Sequence, residues 1–231
     1  MASIPTATSP DHAALLAATA DHVRSAMVGD GSHDWWHVHR VWQNARMIAA
    51  GEAESGNEVD LLVVELAALL HDIADWKFHG GDDEAGPKAA RGWLDGRRVE
   101  PRITNAVADI IGRVSFKGAN VPDSMPTIEG RIVQDADRLD ALGAVGIART
   151  FAYGGHAGRA IHDPDEVAEL HDDPEAYKSR SGGASTTHFH EKLLHLQERM
   201  HTPTARRIAG ERHRYMEEFL DRFQREWDGR A

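Results

Sequence analysis

Apolar residues recur at three- and four-residue intervals along most of the chain, the spacing of one face of an α-helix. Ala14, Leu15, Ala18, Val23 and Met27 make one such face behind Ser9-Pro10, an N-cap and first-turn pair. Gly29 to Ser32 ends that helix. A second begins near His33 or Asp34, with Asp34 as its cap, and carries Val38, Val41, Trp42, Ala45, Ile48 and Ala49. The run "VDLLVVELAALLHDIAD" is apolar on nearly every side and predicts a central, buried helix. Pro87 and Pro101 read as the first residues of two more helices, the latter presenting Ile103, Val107, Ile110, Ile111 and Val114. "TIEGRIVQDADRLDALGAVGIARTFAY" reads as a long helical stretch interrupted by small residues. "HFHEKLLHLQERM" and "PTARRIAGERHRYMEEFLDRFQREW" read as two amphipathic helices, the second opened by Thr202-Pro203 and closed by Gly229. Between Gly154 and Thr186 the periodicity lapses into Gly, Asp, His and Pro. No strand-like alternation interrupts the pattern. The expected fold is all-α, one domain over residues 1–231, with a core at about 32–155 and C-terminal helices at about 184–228 packing on it.

Composition narrows the function. Thirty-seven acids against 26 bases leave a net charge of −11. That disfavours a partner such as a nucleic acid polymer, whose phosphates need clustered cations, but not a small phosphorylated ligand. No apolar run is long enough for a bilayer, and "MASIPTATSPDH" lacks the features of a signal peptide, so a cytoplasmic protein with no membrane partner is expected. Homo-oligomer formation is left open. With no cysteine, any metal must be held by His, Asp and Glu. Fifteen histidines make such a site plausible on composition, although His171 and His201 sit in polar stretches expected at the surface.

Three places carry candidate chemistry. "HDWWHVHRV" puts His37 on the apolar side of its helix. His71 and Asp72 end the buried helix, where a polar pair is costly unless something compensates it. "QDADRLDA" places Asp135, Asp137 and Asp140 on another helix. None is diagnostic alone: a helical histidine is usually a satisfied core or surface residue, and an aspartate cluster is usually a solvated face. Periodicity leaves Asp135 and Asp137 equivalent, because both flank the apolar stripe.

Taken in order, His37, then His71-Asp72 34 residues on, then an aspartate on a third helix, the pattern resembles the HD superfamily of metal-dependent phosphohydrolases. "GSHDWWHVHRV", "LAALLHDIADWKF", "SFKG", "VQDADRLDALGAVGIARTFAY" and "HFHEKL" resemble the bacterial HD subgroup that includes nucleotide pyrophosphohydrolases, over about Ser32 to Trp227. The resemblance implies His37, His71, Asp72 and Asp137 (the aspartate of "ADRL") as ligands of one divalent ion. Mn²⁺ is favoured, with Ni²⁺, Co²⁺, Fe²⁺, Zn²⁺ and Mg²⁺ as alternatives; two imidazoles and two carboxylates suit such ions. An ion of this kind polarises a phosphoryl oxygen and acidifies water.

Asp75, one turn beyond His71, is implied as the general acid or base beside the catalytic Asp72, although many members carry the longer Glu there. Lys77, Lys117, Arg40, His188, Lys192 and Tyr153 are candidates for contacts to the substrate. Arg138 and Arg40 could equally orient carboxylates, and Phe151 could stack on a base or pack in the core. The implied reaction converts a (deoxy)nucleoside triphosphate to monophosphate and pyrophosphate. The alternatives are a 5′-nucleotidase or other phosphomonoesterase, and a non-catalytic sensor that binds metal and nucleotide. Cyclic-dinucleotide phosphodiesterases are poorer matches, because their "GYP" signature is missing. Guanosine tetraphosphate hydrolases share "ADRL" but not the acidic pair after the HD motif, where Asp75 and Trp76 stand.

Overall fold

The computed structural model describes residues 10–27, 34–74, 84–114, 125–168 and 183–230. Every regular element among them is helical, and the fold is all-α. The elements are α1 (Pro10–Ala26), α2 (Trp35–Glu54), α3 (Leu61–Leu70), α4 (Ala85–Gly96), α5 (Pro101–Val114), α6 (Ile128–Asp140), α7 (Gly143–His156), α8 (Thr187–Glu191) and α9 (Pro203–Trp227). The described residues fall into two compact units, one running as far as Asp137 and one from Arg138 onward. The division lies inside α6, where no shift of composition marks it.

In the first unit α3 is the hub. Every residue from Leu62 to Leu70 is buried, and α1, α2 and α5 all pack on it. A ten-residue helix with no polar face is stable only when neighbours cover it all round. Its start is set by Asp60, whose carboxylate accepts from Val63 N. Asp34 does the same for α2 by accepting from His37 N at 3.0 Å. The expected stripes on α2 and α5 are buried, although Trp42 is only half-buried.

The face of α1 departs from expectation. Leu16, Thr19 and Val23 are buried while Ala14 is exposed, because small alanines contribute little to the choice of face. Pro87 is the third residue of α4 rather than its first. A proline is tolerated there because first-turn N–H groups have no partner within the helix.

In the second unit α7 packs on α9. The stretch predicted to be long and helical breaks at Ala141-Leu142, and Gly143 takes a positive φ of 72° that other residues rarely adopt. Arg212 from α9 lies against Gly143, where a side chain would meet it. Phe151, Phe189, Phe219 and Phe223 form an aromatic cluster, so Phe151 is a packing residue. The stretch expected to form one helix from His188 to Met200 is instead the short α8 followed by two 3₁₀ turns, Leu193–His195 and Gln197–Arg199. Phe189, Leu193, Leu196 and Met200 are buried all the same. Their burial on the rest of the unit decides the local path, and a 13-residue segment has too little intrinsic helix stability to resist. Thr202 caps α9 by accepting from Ala205 N, and Gly229 follows its end with a φ of 67°.

Candidate metal centre

His37 is in the first turns of α2, three residues past its cap, and points inward at 2% exposure. His71 is the C-cap of α3, and Asp72 begins the turn that follows. The greasy helix therefore ends by presenting two polar side chains where its backbone leaves the core. Asp137 lies on α6.

These four side chains meet within the first unit. His37 Nε2 lies 3.3 Å from His71 Nε2, 3.3 Å from Asp72 Oδ2 and 3.5 Å from Asp137 Oδ1. His71 Nε2 lies 3.5 Å from Asp72 Oδ2 and 3.9 Å from Asp137 Oδ1. The donor atoms of His37, His71 and Asp72 all fall within 4.8 Å of one another, close enough to hold a metal ion. Donors about 2.1 Å from a common ion stand roughly 3.4 Å apart in a tetrahedral set and about 3 Å apart as octahedral neighbours. The spacings seen need little adjustment to meet either.

The protonation chemistry also fits a cation. His71 Nδ1 lies 2.8 Å from the carbonyl of Ala68, one turn back on α3, and can approach that oxygen so closely only by donating. Nδ1 therefore carries a proton, and Nε2, which faces the two carboxylates and the second imidazole, is the nitrogen left to serve a metal. An outer N–H bonded to a carbonyl is the arrangement that orients a metal-binding histidine. Exposure rises outward through the cluster, from His37 and His71 to Asp72 at 17% and Asp137 at 32%, so one side of the site is open to solvent.

The three aspartates of "QDADRLDA" have separate surroundings. Asp137 is the one beside His37. Asp135, two residues back and turned about 200° around the helix axis, is fully buried. Asp140 belongs to the second unit, where its carboxylate accepts from Arg149 Nη1 at 2.5 Å. Arg212 donates to the carbonyl of the neighbouring Leu139. Burial lowers the Arg212 pKa from its usual value, and Asp140 opposes that effect.

Arg40 is half-buried on α2, three residues from His37 and on an adjoining face. His188, Lys192 and Tyr153 belong to the second unit: His188 is half-buried on α8, Lys192 is its C-cap, and Tyr153 is exposed on α7 with the Arg159 guanidinium 5.3 Å from its ring centre. Arg138, also in that unit, donates to the carbonyl of Arg199 at 2.6 Å. Asp75, Lys77 and Lys117 lie outside the described residues.

Two supports of the site were not foreseen. The Ala68 carbonyl carries no residue-type signal. Asn44, whose amide reaches the backbone of α6 at Ala136, did carry one: a polar residue on the buried stripe of α2. Another buried acid of the unit, Glu65 on α3, accepts from Trp42 Nε1 and lies 3.1 Å from Arg46 Nε. Burial raises its pKa above the usual carboxylate range, while Arg46 and the Trp42 hydrogen bond act in the opposite direction. No helix among the described residues is long and apolar enough to cross a membrane.

Comparison with known proteins agrees with this geometry. The family model described as HD domain matches residues 35–142, which include all four of these side chains. YpgQ of Bacillus subtilis, an uncharacterised protein, is 37% identical over 218 residues, covering 90% of this chain and 91% of its own. An HD-superfamily hydrolase from Bacillus thuringiensis superposes with a TM-score of 0.70 at 40% identity, over 94% of this chain and 98% of that one. The structure of B. subtilis YpgQ in complex with ADP superposes with a TM-score of 0.69 at 32% identity, over 94% of this chain and 100% of that one. With its helical fold, its His and Asp constellation and these relatives, the chain belongs to the HD superfamily of metal-dependent phosphohydrolases.

Proposed function

We propose that this protein hydrolyses small nucleotides, converting a (deoxy)nucleoside triphosphate to the monophosphate and pyrophosphate. The observation that carries the reading is the meeting of His37, His71, Asp72 and Asp137, with His71 Nε2 turned toward the carboxylates by the Ala68 carbonyl on Nδ1. A nucleotide ligand is supported by the ADP complex of the related YpgQ. His37, His71, Asp72 and Asp137 would hold one divalent ion, Mn²⁺ in preference to Ni²⁺, Co²⁺, Fe²⁺, Zn²⁺ or Mg²⁺. When bound, such an ion supplies Lewis acidity toward a phosphoryl oxygen and lowers the pKa of water.

The remaining work falls to side chains. Hydrolysis forms one P–O bond from water to the α-phosphorus and breaks the bridge to the β-phosphate, which leaves as pyrophosphate. The proton released by the water needs an acceptor, and the leaving oxygen is easier to expel if a proton is available. Asp75, one turn past His71 in sequence, is the proposed carrier of that proton, with Asp72 both holding the ion and orienting the water. Arg40, Lys77, Lys117 and Lys192 are the proposed phosphate contacts. His188 and Tyr153 are the proposed contacts to the rest of the nucleotide.

The test is release of phosphate and pyrophosphate from a panel of nucleoside mono-, di- and triphosphates, with each metal in turn, for wild type and Asp72→Ala. Pyrophosphate from triphosphates, lost in the variant, is the expected result. Phosphate from monophosphates alone would make the protein a phosphomonoesterase. Metal binding with no turnover of any nucleotide would favour a sensor.

A further inference from the structure

Helix α6 brings Asp137 to the candidate centre, and polar side chains anchor that helix in the first unit at three levels. In its first turn, Glu129 Oε1 accepts from Asp60 N at 3.0 Å. In its middle, Gln134 Nε2 lies 3.3 Å from the carbonyls of both Arg113 and Val114. These are last-turn carbonyls of α5, which have no acceptor role within their own helix. Near its end in this unit, Asn44 Nδ2 donates to the carbonyl of Ala136 at 3.4 Å, across 92 residues of sequence. That carbonyl belongs to the peptide group joining Ala136 to Asp137. Asn44 is 9% exposed and lies seven residues past His37, two turns along the same face of α2. One face of one helix thus carries both His37 and the amide that grips the backbone of Asp137.

We propose that Asn44 is a positioning residue for the metal centre: it sets the register of α6 against α2 so that the Asp137 carboxylate meets His37 and His71. The inference rests on the metal reading given above. Its physical basis is tolerance. Sliding α6 by a single residue's rise, about 1.5 Å, would displace Asp137 several times farther than the roughly 0.2 Å that a coordination distance allows. Apolar contacts resist such a slide poorly because they are non-directional, whereas a hydrogen bond to one particular carbonyl selects one register. Asp137 is the most exposed of the four side chains, at 32%, so the packing of its own side chain fixes it least and its placement depends most on such an anchor.

The experiment is a double-mutant cycle on the full-length chain, read as Mn²⁺ affinity by calorimetric titration. The proteins are wild type, Asn44→Leu, Asp137→Asn and the double variant. Asn44→Leu is expected to weaken Mn²⁺ binding about tenfold, the low end for loss of an outer-shell partner. In the Asp137→Asn background the same change is expected to alter affinity less than twofold, because the carboxylate it positions is no longer there. An equal loss in both backgrounds would overturn the proposal, since Asn44 would then act on the fold as a whole. An unchanged affinity in Asn44→Leu would overturn it too. If wild type itself binds no Mn²⁺, the metal reading falls and this proposal with it; normal wild-type binding isolates the failure to Asn44. Should Asn44→Leu not fold, Asn44→Ser removes the reach without adding bulk and completes the same cycle.

Discussion

Replacing Arg46 by alanine isolates the buried carboxylate at the heart of the first unit. Glu65 lies on α3 with its side chain 3% exposed, and its oxygen is shared between Trp42 Nε1 and Arg46 Nε, each at 3.1 Å. Removing one partner of a buried ion pair costs about 3–5 kcal/mol, because the other charge stays desolvated. Arg46 is 26% exposed, so water already screens the pair and can partly replace the guanidinium. The Trp42 hydrogen bond also remains. These two effects reduce the expected loss to about 2 kcal/mol at pH 7.

The pH dependence is the sharper test. Burial already raises the Glu65 pKa in the folded state, and Arg46 counteracts it, so Arg46→Ala raises it further. A carboxyl with a raised folded pKa contributes stability that is present below its unfolded value, about 4.3, and is lost as pH rises through the folded value. The penalty of Arg46→Ala should therefore be small at pH 4 and grow toward pH 7. Urea denaturation of wild type and variant at the two pH values measures it, with Glu65→Gln as the background in which the pH dependence should vanish. An equal loss at pH 4 and pH 7 would refute the electrostatic account. It would mean that Arg46 acts through packing, for which its position 5.7 Å from the Trp42 ring centre offers a route.

Three further outcomes are expected. The ring of His22 stacks on Trp93 at 3.6 Å, and burial followed by the Arg97 charge lowers its pKa from the usual histidine value. A lowered folded pKa contributes stability above the unfolded value, about 6.5, that is lost as pH falls. Denaturation at pH 7 and pH 5 should show His22→Phe, which keeps a stacked ring, losing less on acidification than wild type; parallel losses would remove His22 from the account. Gly146→Ala would drive a Cβ into the backbone carbonyl of Ala141, which cannot swing aside as a side chain can, so a loss of about 2–4 kcal/mol is expected by urea denaturation. Asp75→Asn should lower kcat about 100-fold while leaving Mn²⁺ affinity within a few-fold, by steady-state kinetics and calorimetry, and a kcat near that of wild type would remove Asp75 as the proton carrier.

Much of the molecule was legible because local physics and the final fold agree. The helix-period stripes on α2 and α5 are buried apart from the half-buried Trp42, and α3 is covered all round as its unbroken apolar run requires. Asp34, Thr202 and Pro101 mark helix starts because capping is a property of a few consecutive residues. Where sequence reading went astray, long-range packing outweighed a weak local preference. From His188 to Met200 the apolar spacing is helical, yet the backbone tightens into 3₁₀ turns while the same apolar residues stay buried. On α1 the alanines diluted the pattern, and packing on α3 chose Leu16, Thr19 and Val23.

The sequence by itself determined the helical class, the cost of a histidine and an aspartate ending a buried helix, and the order of residues that identifies the superfamily. The first two are matters of composition and period along one chain; the third rests on the resemblance of its motifs to those of a known family. The family resemblance pointed to Asp137, but only the tertiary structure supplies the surroundings: Asp137 lies beside His37 while Asp135, equivalent to it by periodicity, is fully buried. It also decided which nitrogen of His71 is available, through a carbonyl with no side-chain signature. Finally, it joined Asn44 to the carbonyl of Ala136, the residue before Asp137, across 92 residues. The physical reason is the same in each case: a directional bond between distant elements depends on distances that sequence separation does not encode.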